Sequence, residues 1–285
     1  MSPSDGTGPA LPGGAGAASA HRYGAAERQV AELHLPVERR TDGVAVLVHG
    51  GFWRPGAADG SLAYDRRLED HVAADLLGLG VPVWLVDYRA VGDGDGDGGW
   101  PATLEDAATA LDLLVDVAPG AGLDPGRVVV VGHSAGGHLA AWAAARPSMP
   151  AGSPGSSPRL RPVAVVCQAG VLDLAAAHGA DLGRGAVAAL LGGGPAHVPD
   201  RYALASPAAL VPTGVPLLCV TGDQDDVVPP DQAERYAAAA RAAGDDVRVE
   251  LVPDEDHRAH LDPRTRCWAL ARAEVLARLD VAPSV

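Results

Sequence analysis

Aromatic residues are scarce in this chain: they fill 4% of its 285 positions, and phenylalanine occurs once, as Phe52. A core must therefore be filled by Ala, Val and Leu. The 47% hydrophobic content permits that, and the length suits one large α/β unit. Cysteine is also sparse. Cys167, Cys219 and Cys267 are odd in number and widely spaced, which excludes a disulfide framework or a zinc pattern. The first two sit in apolar, strand-like runs, and buried free thiols fit a reducing cytoplasm. Positive charge is short as well, with 22 basic against 36 acidic residues and a formal net charge of -14. With no basic cluster to offset it, that balance excludes binding to a nucleic-acid backbone. No run of 18 apolar residues is long enough to span a membrane. Residues 1–20 are rich in Gly, Ala, Ser and Pro and lack a charged segment followed by an apolar core. They are expected to be a disordered tail, not a signal peptide.

Glycine (36) and proline (24) are abundant, so sharp loops are expected between many short elements. Apolar runs at Val44–Val48, Val81–Tyr88, Val128–Val131, Val163–Cys167, Val215–Val220 and Val247–Val252 are predicted strands, and Gln29–Leu35 alternates as an outer strand would. Helical periodicity covers Tyr64–Leu79, Leu104–Val117, Leu139–Ala145, Asp231–Ala243 and Arg264–Leu279. Strands alternating with helices predict an α/β fold, a mostly parallel central sheet with helices on both faces. Residues 171–213 interrupt this rhythm and are expected to form a small helical cap. The remaining chain, 21–285, reads as one domain.

Ser134 is centred in Gly132-His-Ser-Ala-Gly136, between a predicted strand and a predicted helix. The two glycines leave room for a strained turn that lifts the hydroxyl out of the sheet. This is the signature of a nucleophile elbow. A serine hydroxyl needs a base, and the base an orienting acid, so an acid and then a histidine should follow along the chain. One loop after a predicted strand carries Asp223, Asp225 and Asp226; the other carries His257 and His260. Both lie at strand C-terminal ends, where α/β sheets gather their sites. Asp225 and His257 are the preferred pair, although spacing alone does not separate the three aspartates.

A tetrahedral oxyanion needs N–H donors. Ala135, directly after the nucleophile, offers one. The turn His49-Gly50-Gly51-Phe52-Trp53 offers Gly51 and Phe52, with His49 expected to organise the turn. His133 is expected to point away from Ser134, and His138 to pack or hydrogen-bond on the helix. Trp53, Trp100 and Arg258 are candidates for the substrate pocket. Asp93-x-Asp95-x-Asp97-Gly98 opens like a calcium loop, but position twelve is Leu104 where a glutamate is needed. The stretch 92–99 reads better as a flexible acidic loop, so no metal is expected. No G-x-G-x-x-G follows the first strand, so no organic cofactor is expected either.

With these motifs in place, residues 22–280 resemble the α/β-hydrolase superfamily. His49-Gly-Gly-Phe-Trp and Gly132-His-Ser-Ala-Gly-Gly-His-Leu-Ala resemble its kynurenine formamidase-like branch, which borders the carboxylesterases. The resemblance implies a catalytic triad of Ser134, Asp225 (within Gly222-x-x-Asp-x-x-Val-Pro) and His257 (preceding Asp262-Pro263). It implies a serine hydrolase acting on a small carboxylic ester or aryl amide, without cofactor, nucleic acid or membrane as partner. Alternatives are arylformamidase action on N-formylkynurenine, hydrolysis of a biosynthetic ester or lactone, and a non-catalytic binding role. A homodimer is compatible with all of them. Arg258 stands where members of that branch usually carry an aromatic residue, and Thr221 where a histidine is common.

Overall fold

Four consecutive valines leave no polar face, as a strand covered on both sides of a sheet requires. In the computed structural model, which describes residues 15–94 and 98–282, this run opens β5 (Val128–His133), buried throughout. It is joined by β1 (Ala15–Arg22), β2 (Val30–Pro36), β3 (Val44–Val48), β4 (Val83–Val86), β6 (Ala164–Gln168), β7 (Leu217–Gly222) and β8 (Val247–Val252). The sheet order is β1-β2-β4-β3-β5-β6-β7-β8. Strands β3 to β8 run parallel, whereas β2 pairs antiparallel with both β4 and β1. In register, Val48 on β3 faces Gly132 on β5, so the His49 turn and Ser134 emerge side by side.

The helices are α1 (Asp70–Gly78), α2 (Ala102–Val117), α3 (Ala135–Ala145), α4 (Leu174–Gly179), α5 (Ala186–Leu191), α6 (Pro199–Ala205), α7 (Asp231–Ala242) and α8 (Arg266–Arg278). α1 and α8 cover one face of the sheet through Leu76, Leu77, Trp268 and Val275. α2, α3 and α7 cover the other through Leu104, Leu111, Leu139, Trp142 and Tyr236. The expected fold class is the observed one. The segment 171–213 contains the three short helices α4 to α6.

The N-terminal reading needs correction. Residues 15–20 belong to β1, which pairs with β2 from Ala18 opposite His34 to Arg22 opposite Val30. This small-residue segment has almost no apolar pattern to announce a strand. The backbone ladder holds it, and that ladder does not depend on side-chain type. β1 is thus the outer strand and β2 lies inside it. Residues 1–14 of the expected tail lie outside the described residues, as do 95–97 of the acidic loop.

The few aromatics are placed to join layers. Trp53, Trp84, Trp142 and Trp268 are all among the largest fully buried side chains. Each buried indole N–H finds an acceptor on another element, as a buried tryptophan must. Trp84 Nε1 donates to the Ala110 carbonyl at 3.1 Å, Trp142 Nε1 to Leu204 at 2.9 Å, and Trp268 Nε1 to Asp75 Oδ2 at 2.7 Å.

Glu69, at the end of a 3₁₀ turn before α1, is buried, and its Oε1 has no partner among the described residues. Burial, reinforced by Asp70, pushes its carboxyl from 4.5 up to about 8. Between those values the folded protein keeps a proton that the unfolded chain releases, so stability is lost as pH rises through the window. Glu69→Gln is expected to remove that loss. Urea unfolding should show the variant gaining on wild type between pH 5 and pH 8, by at most about 1.4 kcal/mol per pH unit; an equal difference at both pH values would contradict this.

Candidate active site

Ser134 links β5 to α3 with φ 55 and ψ −117, a conformation that a non-glycine residue adopts only under strain. The strain is held from both sides. The Ser134 N–H donates to the Gln168 carbonyl at 2.8 Å, and its own carbonyl accepts from the His138 N–H at 3.1 Å. α3 can approach β3 only because residue 136 is glycine: a Cβ there would lie 1.9 Å from the Val48 carbonyl oxygen.

The loop after β7 brings Asp225 inward. Its Oδ1 accepts the backbone N–H groups of Val227 and Val228 at 2.9 and 2.8 Å. Its Oδ2 accepts from His257 Nδ1 at 2.8 Å. That hydrogen bond leaves His257 Nε2 as the nitrogen free to exchange a proton. Asp223 instead ties the two loops together, its Oδ1 accepting the Asp254 N–H at 2.8 Å. Asp226 is exposed. Geometry thus separates three aspartates that spacing alone could not.

His260 is fully buried, and neither of its ring nitrogens has a partner among the described residues. Burial, and then the neighbouring His257, push it down to about 3. His133 does not point away from the site as expected. Its Nε2 donates to the His257 carbonyl at 2.9 Å, and the two rings lie 4.6 Å apart. His133 lines the same pocket as Ser134. His138 does hydrogen-bond within the interior, accepting from Trp53 Nε1 at 3.2 Å and donating to the Ala205 carbonyl at 2.9 Å.

The turn after β3 has positive φ at Gly51, Phe52 and Trp53. Glycine is required at 51 because a Cβ there would meet the Tyr64 side chain at 2.4 Å. The N–H groups of Gly51 and Phe52 have no acceptor among the described residues. Ala135 is the first residue of α3, where a helix offers its own N–H no partner.

His49 braces this turn as expected. Its ring nitrogens face the Gly50 carbonyl at 2.7 Å and Asp87 Oδ1 at 3.2 Å, and the ring stacks on Tyr88 at 4.3 Å. Asp87 also binds Arg28 and Arg66. Burial would raise its carboxyl, but His49, Arg28 and Arg66 outweigh that and hold it below the usual range. Asp87 belongs to no motif of the sequence. Its one signal there is that it is the single charged residue inside the predicted strand Val81–Tyr88.

Ser134, His133 and His257 open onto a cavity of about 310 Å³, walled by Phe52, Leu62, Tyr64, Leu68, Val227 and Leu261, with Arg258 and Asp262 also lining it. Trp53 and Trp100 are not among its walls. Trp53 is buried in the core, where the positive φ of its turn and the His138 hydrogen bond direct it. Trp100 is half-buried, packed on the core with its N–H donating to the Leu190 carbonyl at 2.6 Å. Phe52 and Tyr64 supply the aromatic surface instead. No residue of 171–213 lines this cavity. Among the described residues no His, Cys, Asp and Glu cluster is arranged to hold a metal.

A model of the BD-FAE family matches residues 32–239 of the chain. The protein belongs to the BD-FAE family. An acetyl-hydrolase of Streptomyces hygroscopicus is 33% identical over 236 residues, spanning 78% of this chain and 70% of its own. Among solved structures, a truncated carbohydrate esterase from gut microbiota superposes with a TM-score of 0.75 at 21% identity, covering 95% of this chain and 99% of its own. Esterase B from Lactobacillus rhamnosis also gives 0.75, at 21% identity, over 92% of this chain and 85% of its own. These two likenesses carry the α/β-hydrolase fold. The family match and the 33% identical relative make this BD-FAE member an α/β-hydrolase of the esterase type, an enzyme of the serine-hydrolase kind. Among the described residues no helix is long and apolar enough to cross a membrane.

The buried histidines of this site set an acid limit on stability. The unfolded chain takes up protons below about 6.5, whereas folded His260 stays neutral down to about 3 and His138 to about 4. Stability therefore falls as pH drops through that interval. Replacing His260 by the apolar His260→Phe should flatten the fall by up to about 1.4 kcal/mol per pH unit. Urea unfolding at pH 7 and pH 5 measures it, and an unchanged slope would refute the buried neutral imidazole.

Proposed function

We propose that this enzyme hydrolyses small carboxylic esters through an acyl-enzyme formed on Ser134. The reading is carried by one observation: His257, hydrogen-bonded to Asp225 at 2.8 Å, lines the same cavity as the strained Ser134. Asp225 fixes the His257 tautomer and stabilises the imidazolium that forms. His257 takes the Ser134 proton as the hydroxyl attacks the ester carbonyl. The N–H groups of Gly51, Phe52 and Ala135 receive the developing oxyanion, each such donor contributing about 3 kcal/mol to the transition state. His257 then protonates the leaving alcohol, and water repeats the sequence to free the acid.

A cavity of about 310 Å³ lies at the small end of ligand sites, which favours short acyl groups. The name of the Streptomyces relative, acetyl-hydrolase, agrees with that size. An aryl amide such as N-formylkynurenine is the second reading. It is weakened because neither Trp53 nor Trp100 lines the pocket, which leaves Phe52 and Tyr64 as the smaller aromatic walls for an aryl group. Three buried free cysteines support a reducing, cytoplasmic setting.

A fluorophosphonate probe should label Ser134, and Ser134→Ala should abolish both labelling and p-nitrophenyl acetate turnover. His257→Ala and Asp225→Asn are expected to lower kcat by about 10⁴-fold, whereas His260→Ala should retain most activity. Folded protein with no Ser134 adduct, or a His260 variant as inactive as the His257 variant, would overturn these assignments. In a paired kinetic panel, p-nitrophenyl esters of two to four acyl carbons should exceed aryl formamides in kcat/KM, and the reverse order would favour the formamidase reading.

A further inference from the structure

We propose that the pocket selects esters that carry a carboxylate, and that Arg258 is the residue that selects them. The inference rests on the ester-hydrolase reading above and assigns its substrate class. Arg258 directly follows His257 in the chain and lines the cavity that holds Ser134. What singles it out is not its type, since all 22 basic residues of this chain are arginine. It is an unpartnered guanidinium beside the nucleophile: among the described residues the Arg258 side chain makes no hydrogen bond and no ion pair, while its backbone N–H donates to Asp256.

Three of the neighbouring carboxylates already hold other partners. Asp262, the one acid lining the cavity, is gripped by the Arg264 guanidinium at 2.9 and 2.6 Å and held at about 2. Asp256 Oδ1 accepts the N–H groups of Arg258 and Ala259 at 2.9 and 3.1 Å. Glu255 accepts those of Arg266 and Cys267, each at 2.7 Å. The cavity therefore has an apolar wall, a nucleophile and one unclaimed planar cation. A guanidinium fork matches a carboxylate in two parallel hydrogen bonds, which neither an apolar chain nor a neutral ester can supply. The net charge of -14 repels anions at long range, but screening confines that repulsion to about 10 Å at 0.1 M salt, while the Arg258 contact acts inside the pocket. Because Arg258 is exposed, its effect on selectivity is set at about tenfold and not a hundredfold.

The test compares kcat/KM for esters matched in shape and differing in charge. Mono-p-nitrophenyl glutarate against p-nitrophenyl valerate places the carboxylate on the acyl side. 4-Acetoxybenzoate against its methyl ester places it on the alcohol side. Wild type should prefer the anionic member in at least one pair. Arg258→Ala should lower that anionic-to-neutral ratio about tenfold, chiefly through KM, and Arg258→Glu should lower it further. The pair that responds identifies which side of the ester faces Arg258. A ratio unchanged by Arg258→Ala in both pairs would overturn the inference, as would a wild-type preference for a trimethylammonium ester over the anionic ones. If neutral esters turn over and Ser134 labels while the ratio stays fixed, this inference alone fails. If no ester turns over and Ser134 does not label, the ester-hydrolase reading fails instead. Fluorophosphonate labelling of each Arg258 variant verifies its fold.

Discussion

The hydrogen bond from His257 Nδ1 to Asp225 Oδ2 joins two loops that have no local reason to meet. Its 2.8 Å length depends on β7 and β8 lying in parallel register to their ends, with Gly222 opposite Val252. It depends equally on the loops being pressed together. A Cβ on Gly222 would stand 2.0 Å from the Glu255 carbonyl oxygen, so the histidine loop crosses directly over the end of β7. Asp223 then ties the crossing through the Asp254 N–H, and His133 holds it from the β5 side through the His257 carbonyl. The imidazole is placed by side chains from the β5 and β7 ends that hold the backbone of its loop. That division of labour leaves both of its own nitrogens for Asp225 and for chemistry.

The opposite wall is held by charge. Asp87 lies under the His49 turn and collects His49, Arg28, Arg66 and the Tyr88 N–H. Taking such groups out of water costs several kcal/mol per ion, and their mutual attraction offsets it only when every partner is present. The network therefore contributes little as net stability. Its effect is geometric: Tyr88 Oη donates to the His49 carbonyl at 2.8 Å, and the ring stack fixes the side chain, so the Gly51–Phe52 backbone has one position to occupy. Under the proposed function these N–H groups would receive an oxyanion, and that role needs rigidity, because a donor that must reorganise during reaction stabilises the transition state less.

Much of this was legible before any coordinates, and what was not has identifiable causes. The elbow could be read because close packing of α3 on β3 demands glycine at 136, a requirement visible in one dimension. The mostly parallel core followed from apolar runs covered on both faces, whereas its strand order is set by pairings between distant segments. Asp223, Asp225 and Asp226 could not be separated, because adjacent carboxylates differ in the direction of their side chains and not in spacing. Trp53 was misplaced for a related reason. It neighbours the Gly51–Phe52 turn in sequence, yet its φ of 56° sends the indole into the core, where His138 satisfies its N–H. Asp87 carries meaning only beside His49, which arrives from a different strand. β1 was missed because its stability lies in a ladder of main-chain hydrogen bonds that small residues neither announce nor oppose.

The crowding of imidazoles around His257 has a physical logic under the serine-hydrolase reading. When His257 takes the Ser134 proton it becomes a cation. A second cation at the 4.6 Å separation of the His133 ring would oppose it by about 4 kcal/mol at an effective dielectric of about 20. That penalty would cancel more than one oxyanion donor. Burial prevents it: His133 is pushed well below its ordinary range by desolvation first, and His260 to about 3 by the same cause. Both are held toward the neutral form, so neither adds an imidazolium beside His257, and the one hydrogen-bonded ion partner of its ring among the described residues is Asp225. His260 goes further and gives up both hydrogen bonds to remain in the interior. An apolar ring of similar size would keep the site equally neutral and would not cost a buried unsatisfied group, so the neutrality of position 260, and not its basicity, is what the chemistry at His257 requires.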